Sequence, residues 1–108
     1  MVLEILRVSG VSMAPTLSDG DYVLALSHRV CAQPPAVGSV IVVRHPNLGV
    51  LVKRVVAVED GRIAIDGDNP TSLDRSGLGS IKASQVLGRA LLRIPKKGFP
   101  QRIAKWAA

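Results

Sequence analysis

The chain has 108 residues, of which 47% are apolar and 20% are charged. This length is typical of one compact domain and is too short for two, and the apolar content is too high for a disordered segment. The only cysteine, Cys31, excludes an internal disulfide, and with two histidines it supplies too few ligands for a structural zinc site. We therefore expect no metal and no other cofactor.

The charge is distributed unevenly. Residues 1–74 have a net charge of −2, whereas residues 75–108 contain eight basic side chains and no acidic one. A basic segment of this kind favours an anionic partner such as a membrane surface, with a solvated basic terminus as the alternative. Only Tyr22, Phe99 and Trp106 are aromatic. Because a surface that stacks on bases needs more aromatic side chains, we expect no nucleic-acid partner.

No segment of the sequence has the character of a membrane-spanning helix. The longest stretch without charge, residues 30–43, contains Pro34, Pro35 and Gly38 and is shorter than the roughly 20 apolar residues that a span requires. The amino terminus has Glu4 early and no apolar block after a basic start, unlike a secretory signal. We expect a location in the cytoplasm or at the membrane periphery.

Short runs rich in Val and Ile predict β-strands along most of the chain. They cover residues 2–8, 22–26, 40–43, 50–58, 63–65 and 86–94. The sequence Glu59-Asp60-Gly61 between two runs predicts a tight hairpin, because glycine accepts the positive φ of such turns. We predict an all-β domain over residues 1–94 and a basic tail over 95–108. Helix is limited to a turn after Pro15 and a short segment after Pro100.

Ser12 follows the first predicted strand in a loop, where a small side chain can be exposed and still held by rigid neighbours. It is therefore a candidate nucleophile, and an ordinary turn serine is the alternative. Gly10 would let the backbone approach a ligand, so that the Ser12 amide could face a developing oxyanion. Ser9, before the glycine, is the nearest rival.

The two histidines are poorly placed to act as the base for this serine. His28 lies in a polar run and His45 precedes Pro46 in a predicted turn, so both are expected at the surface. A nucleophile pair of Cys31 and His28 is disfavoured, because residues three apart in a strand project to opposite faces.

Lys53 is the stronger candidate for the base. Strand alternation puts Leu51, Lys53, Val55 and Ala57 on one face, so the lysine is flanked by aliphatic side chains. Burial disfavours the charged ammonium and lowers the pKa of a lysine, which allows it to act as a general base. Arg54 cannot do so, because guanidinium stays protonated. An edge-strand lysine that extends to water is the alternative.

The segment 66–74 is a polar loop rich in hydrogen-bond acceptors. Calcium binding is disfavoured, because the loop lacks the alternation and the distal glutamate of a calcium hand. The more specific hypothesis is that the loop folds back, so that Ser72 and Asp74 orient the buried lysine.

Together these segments resemble the ordered sequence boxes of the type I signal peptidase family. They are SGVSMAPTLSDGD at 9–21, VKRVV at 52–56, GDNPTSLD at 67–74 and LGRA at 87–90. The resemblance covers most of the chain, from about residue 8 to residue 90. It implies a small β-barrel or sandwich catalytic domain, as in the related repressor autoproteases of the DNA-damage response.

The resemblance also implies a serine endopeptidase with a Ser/Lys dyad that removes an N-terminal leader or signal peptide from a precursor protein. Ser12 matches the nucleophile and Lys53 the general base, with Gly10 and Met13 in the loop that forms the oxyanion and substrate site. By the same resemblance Ser72 and Asp74 support the lysine.

Ser72 matches the serine that hydrogen-bonds the lysine, and Asp74 matches the structural acid nearby. Three features depart from the family pattern. Arg75 follows Asp74 directly, and Ser76 stands where relatives carry an arginine. Some relatives have a serine at the position of Gly10, and signal peptidases carry N-terminal transmembrane helices, whereas eleven residues precede Ser12 here.

The short form with VRHP at 43–46 is similar to the nickel-type superoxide dismutase maturation proteases, and a helix-less or truncated signal peptidase homologue is the alternative. The repressor autoproteases share the Ser-Met-x-Pro start, but the Gly-Asp-Asn loop points away from them. A different class of function is a catalytically inactive β-domain that binds an anionic surface through residues 75–108. The presence of both Ser12 and Lys53 weighs against it.

Overall fold

A computed structural model describes residues 2–27, 34–70, 79–95 and 105–107. Within these ranges the chain forms strands and one short 3₁₀ turn, Ala83–Gln85, so the predicted all-β class is confirmed. The strands are β1 (Leu3–Val8), β2 (Tyr22–Ser27), β3 (Val40–His45), β4 (Gly49–Glu59), β5 (Arg62–Asp66), β6 (Ser80–Lys82), β7 (Val86–Ile94) and β8 (Lys105–Ala107). No helix in these ranges is long and apolar enough to cross a membrane.

The strands form one sheet in the order β6-β5-β4-β3-β7-β2-β1-β8. All neighbouring pairs from β6 to β1 are antiparallel, whereas β8 runs parallel to β1 at the end of the sheet. β8 also lies against β4, five places away in the sheet order. The sheet therefore curls until its last strand approaches an interior one.

The core has two apolar clusters because successive residues of β3 and β4 point to opposite faces. Val42 and Val52 belong to the first cluster and Ile41 and Leu51 to the second. The first cluster comprises Leu6, Val8, Met13, Leu17, Val23, Ala25, Val42, Val52 and Ala107. This cluster includes Met13 and Leu17 from the segment after β1 and Ala107 from β8.

A β-bulge in β4 limits the predicted alternation. Lys53 lies between Leu51 and Val55 on one face, as the alternation predicts, and these two neighbours are buried. The register with β5 then shifts between Val55 and Ala57, and Ala57 is exposed. The prediction that Ala57 shares the face of Lys53 is wrong, because the extra residue at the bulge reverses the alternation.

The hairpin between β4 and β5 forms at Asp60 and Gly61, as predicted. Both residues have positive φ, 50° for Asp60 and 74° for Gly61, which is the requirement of a two-residue type I′ turn. The turn sets Glu59 opposite Arg62.

Two strands have no counterpart in the strand predictions. β6 is only three residues long, and β8 lies where a short helix after Pro100 is expected. A helix is wrong for Lys105–Ala107, because pairing with the edge of β1 and burial of Ala107 stabilise an extended backbone there. His28, Cys31, Ser72 and Asp74 lie outside the described residues.

Candidate active site

Ser12 is held by a compact loop that follows β1. The Leu17 amide donates to the Met13 carbonyl at 2.9 Å and the Ala14 amide to the Val11 carbonyl at 3.1 Å, which folds the segment into successive turns. Met13 is 1% exposed and packs in the first core cluster, whereas Val11 is 57% exposed. Ser12 lies between this buried anchor and the surface, and is itself 5% exposed.

Lys53 reaches Ser12 from an interior strand. Its Nζ donates a hydrogen bond to Ser12 Oγ, across 41 positions in the sequence. Lys53 is 2% exposed, and β4 has neighbours on both sides in the sheet. The alternative of an edge-strand lysine that extends to water is therefore wrong.

Gly10 shapes the entry to this loop. It adopts a φ of +88°, a conformation that favours glycine, and its amide donates to Asp19 Oδ1 at 2.8 Å. This amide is therefore engaged within the loop. Of the two residues assigned to the oxyanion and substrate loop, Gly10 sets the backbone path, and Met13 fixes the loop to the core.

The loop after β5 closes directly onto the backbone of Ser12. The Asn69 amide donates to the Ser12 carbonyl at 2.9 Å, and Asn69 Nδ2 donates to the Val11 carbonyl at 3.0 Å. Gly67 passes so near that a Cβ there would overlap the Ser12 carbonyl oxygen. This segment thus fixes the position of the serine through its backbone.

An ion pair between Arg54 and Asp68 holds the second loop in turn. Arg54 Nε donates to Asp68 Oδ1 at 2.8 Å and Arg54 Nη2 to Asp68 Oδ2 at 2.7 Å, a bidentate arrangement. Arg54 Nη1 also donates to the Gly38 carbonyl at 2.6 Å, and the Thr16 hydroxyl donates to Asp68 Oδ2 at 2.6 Å. The Ser12 loop, β4 and the loop after β5 are therefore linked through two adjacent charged groups.

The electrostatics of the pair follow from this geometry. The hydrogen bonds from Arg54 lower the pKa of Asp68, and the Thr16 hydroxyl adds to the effect while partial burial opposes it. The same contacts raise the pKa of Arg54. Both shifts favour the charged forms of the two groups.

Three of the residues that position Ser12 were not predicted for that role. The sequence excludes Arg54 only as a base, and the family resemblance assigns support for the lysine to Ser72 and Asp74, which lie outside the described residues. Within the described residues, Asp68 contacts Arg54 and Asn69 contacts the Ser12 loop. The available signal is the Gly-Asp-Asn triplet at 67–69, which begins the sequence box that follows the one with Lys53 and Arg54.

Neither a metal site nor a histidine base is evident in the part of the chain that the structure describes. No group of three His, Cys, Asp or Glu side chains converges there. His45 Nδ1 accepts hydrogen bonds from the Asn47 and Leu48 amides in its own turn, at 3.1 and 3.2 Å. The chemically distinctive contact is the buried one between the Lys53 amine and the Ser12 hydroxyl.

Comparison with known proteins places the chain in a family. A family model described as "Signal peptidase, peptidase S26" matches residues 1–69, a range that includes Ser12, Lys53 and the Gly67–Asn69 loop. Among curated proteins, none matches the sequence significantly. Because the family model spans more than half of the chain, the protein belongs to the signal peptidase family, peptidase S26, a family of hydrolases that cleave peptide bonds.

Proposed function

We propose that the protein is an endopeptidase with a Ser12/Lys53 dyad that removes an N-terminal leader from a precursor protein. The observation that carries this proposal is the hydrogen bond between Lys53 Nζ and Ser12 Oγ in a buried setting. A serine hydroxyl is a weak nucleophile until a neighbouring base takes its proton, and a lysine amine can be that base when it is neutral.

In the proposed reaction, neutral Lys53 accepts the hydroxyl proton as Ser12 Oγ attacks the scissile carbonyl carbon. The resulting Lys53 ammonium then gives this proton to the leaving amine as the peptide bond breaks, which leaves an acyl-enzyme on Ser12. A water molecule, deprotonated by the same amine, attacks the ester and releases the leader, and the Lys53 ammonium returns its proton to Ser12 Oγ as the acyl–oxygen bond breaks. The backbone amide of Ser12 is the proposed donor to the oxyanion, since the Gly10 amide is engaged by Asp19.

The remaining contacts support this chemistry by fixing the geometry. Hydrogen bonds from Asn69 to the Val11 and Ser12 carbonyls restrain the backbone at the serine, and the Arg54–Asp68 pair restrains the Asn69 loop. Such restraint matters because small displacements of reacting atoms cost large factors in rate. Ser72 and Asp74, assigned by family resemblance to orient Lys53, complete the proposed site.

The identity of the precursor is the more specific part of the proposal. The VRHP segment at 43–46 favours a maturation protease for nickel-type superoxide dismutase, and a general signal peptidase activity is the alternative. Cleavage of a peptide that spans the leader junction of such a dismutase precursor, compared with a typical secretory signal peptide, distinguishes them. Preference for the secretory peptide would contradict the narrower assignment.

The test of the proposed reaction is cleavage of leader peptides by the wild-type chain and by Ser12→Ala. We expect Ser12→Ala to lose measurable turnover and to keep the wild-type circular dichroism spectrum. Ser9→Ala is the matched control, because Ser9 is exposed, three positions away, and uses its backbone amide rather than its hydroxyl in the described contact with Ala107. Turnover that survives in Ser12→Ala would contradict the proposal.

A lysine variant tests the second half of the dyad. Lys53→Met keeps much of the length of the side chain and removes the amine, so we expect it to fold and to lose turnover. Lys82→Met, at an exposed position of β6, is the control for loss of a lysine and should cleave as the wild type does. Appreciable activity in Lys53→Met would exclude Lys53 as the base.

A further inference from the structure

β8 fills the outer edge of the strand that leads to Ser12. Its register with β1 is parallel, with Leu6 opposite Lys105 and Val8 opposite Ala107. The Ser9 amide donates to the Ala107 carbonyl at 2.7 Å. Ala107 is 2% exposed within the first core cluster, so both backbone pairing and apolar burial hold β8 in place.

This position lies beside both elements that supply the reacting groups. β1 leads into the Ser12 loop, and β4, which carries Lys53, lies against β8. Because β8 runs in the same direction as β1, its carboxyl end points toward the Ser12 loop. A peptide that took the place of β8 in this register would run toward the serine.

A peptidase substrate needs an extended backbone at its reacting bond, and an exposed strand edge is the usual partner for an extended peptide. One edge of β1 is taken by β2, and the other is taken by β8. A leader peptide that adds to β1 next to Ser12 must therefore occupy the place of β8.

We propose that β8 is an internal competitor of the substrate: it occupies the edge of β1 to which a leader would add and must be displaced before cleavage. This inference rests on the proposed function. It makes β8 an autoinhibitory strand, whose docking strength sets how much of the protein is ready to bind a leader.

The expected size of the effect follows from the competition. A site that is open for only a fraction of the time shows an apparent dissociation constant raised by the inverse of that fraction. If β8 is docked about nine-tenths of the time, its release lowers KM by about tenfold and leaves kcat unchanged.

The variant Ala107→Asp tests this in the full chain. A carboxylate in the apolar cluster disfavours docking of β8, because a buried charge without a partner is costly. We expect about tenfold higher kcat/KM for the leader peptide, through a lower KM, together with faster hydrogen exchange of the Ser9 amide. Val37→Asp, at a position that is 62% exposed, is the control for an added carboxylate and should match the wild type.

A peptide added in trans provides a second readout. A synthetic peptide of residues 101–108 should inhibit Ala107→Asp competitively, and the same peptide with aspartate in place of Ala107 should not. A wild-type KM in Ala107→Asp, combined with fast exchange at Ser9, would overturn the inference and leave the proposed function intact. If neither chain cleaves any leader peptide, the proposed function fails and the inference fails with it.

Should Ala107→Asp not fold, the measurement moves to Ser12→Ala, which should bind a leader peptide without cleaving it. Hydrogen exchange at residues 105–107 is followed with and without saturating peptide. Faster exchange in the complex is the result expected when substrate displaces β8. Unchanged protection with the peptide bound would overturn the inference.

Discussion

Gly67 lies directly against Ser12, and the contact leaves no room for a side chain. A Cβ at position 67 would overlap the Ser12 carbonyl oxygen and lie 3.3 Å from Ser12 Cβ. Backbone atoms cannot swing aside as the end of a long side chain can. The separation of the two loops is therefore set by the absence of a side chain at this one position.

Gly67→Ala should move the Ser12 loop away from Lys53. Because a displacement of about 1 Å at a reacting atom can cost about a hundredfold in rate, we expect a loss of that order in kcat/KM for the leader peptide. Gly49→Ala is the control. Gly49 is the first residue of β4, and although alanine there is strained by the φ of +79°, its Cβ would meet open space. Wild-type kcat/KM in Gly67→Ala would contradict the positioning role.

The Arg54–Asp68 pair should show a measurable coupling. The double-mutant cycle of Arg54→Gln and Asp68→Asn is expected to give about 1–3 kcal/mol in the free energy of unfolding, since the hydrogen bonds are charge-assisted and only partly exposed. Both single variants should also lower kcat/KM. Arg93→Gln breaks a different ion pair, with Asp21, whose carboxylate also accepts from the Ser18 amide, and serves as the control. A coupling energy near zero would mean that the pair is solvated.

The same pair gives a defined dependence of stability on acid. The pKa of Asp68 is lower in the folded chain than its usual value of about 3.9, so the unfolded chain takes up the proton more readily. The contribution of the pair to the free energy of unfolding is therefore complete above the usual pKa of Asp68. It is lost as the pH falls through the lowered pKa of the folded chain. Urea unfolding from about pH 5 to about pH 2 should show a smaller loss of stability in Asp68→Asn than in the wild type.

Activity should rise with pH because Lys53 must be neutral to act as the base. The amine accepts a proton from Ser12 only when it is neutral, and burial disfavours its charged form. We expect kcat/KM to rise with pH through an apparent pKa well below the value of about 10.4 for free lysine. A rate that rises only near that value would indicate a solvated lysine. Lys53→Arg should abolish turnover at every pH, since guanidinium stays protonated.

Ser72 and Asp74 should act as orienting partners of the lysine. Alanine at either position is expected to lower kcat/KM by about ten- to a hundredfold, the size typical of groups that orient a reacting side chain. The effect should fall on kcat more than on KM. Wild-type kinetics in Ser72→Ala would remove that residue from the site.

The basic carboxyl-terminal segment is predicted to bind anionic membranes. Each cation near an anionic leaflet contributes about 1 kcal/mol, and residues 95–108 contain four. We expect the full chain to sediment with phosphatidylserine vesicles at low salt and to be released at high salt. A chain that ends at Ile94 should stay in the supernatant. Equal sedimentation of both chains, or none of the full chain, would contradict membrane binding through this segment.

The sequence by itself predicted six of the eight described strands and indicated the candidate reacting residues. Alternation of apolar residues placed Lys53 between Leu51 and Val55, and both are buried with it, because strand periodicity is a local property of the chain. The Asp60-Gly61 turn was equally local, since its two positive φ angles depend on those two residues. Sequence alone also identified Ser12 as the serine that follows the glycine of the loop.

Only the tertiary structure decided which partners these residues have. The contact of Ser12 with Lys53 depends on how far the sheet curls, and the choice of Asp68 for Arg54 depends on where the loop after β5 returns. The bulge after Val55 and the docking of β8 on β1 are decided the same way. Such contacts join segments far apart in the chain, and the free energy that selects them comes from packing and burial of the whole sheet, which no local pattern records.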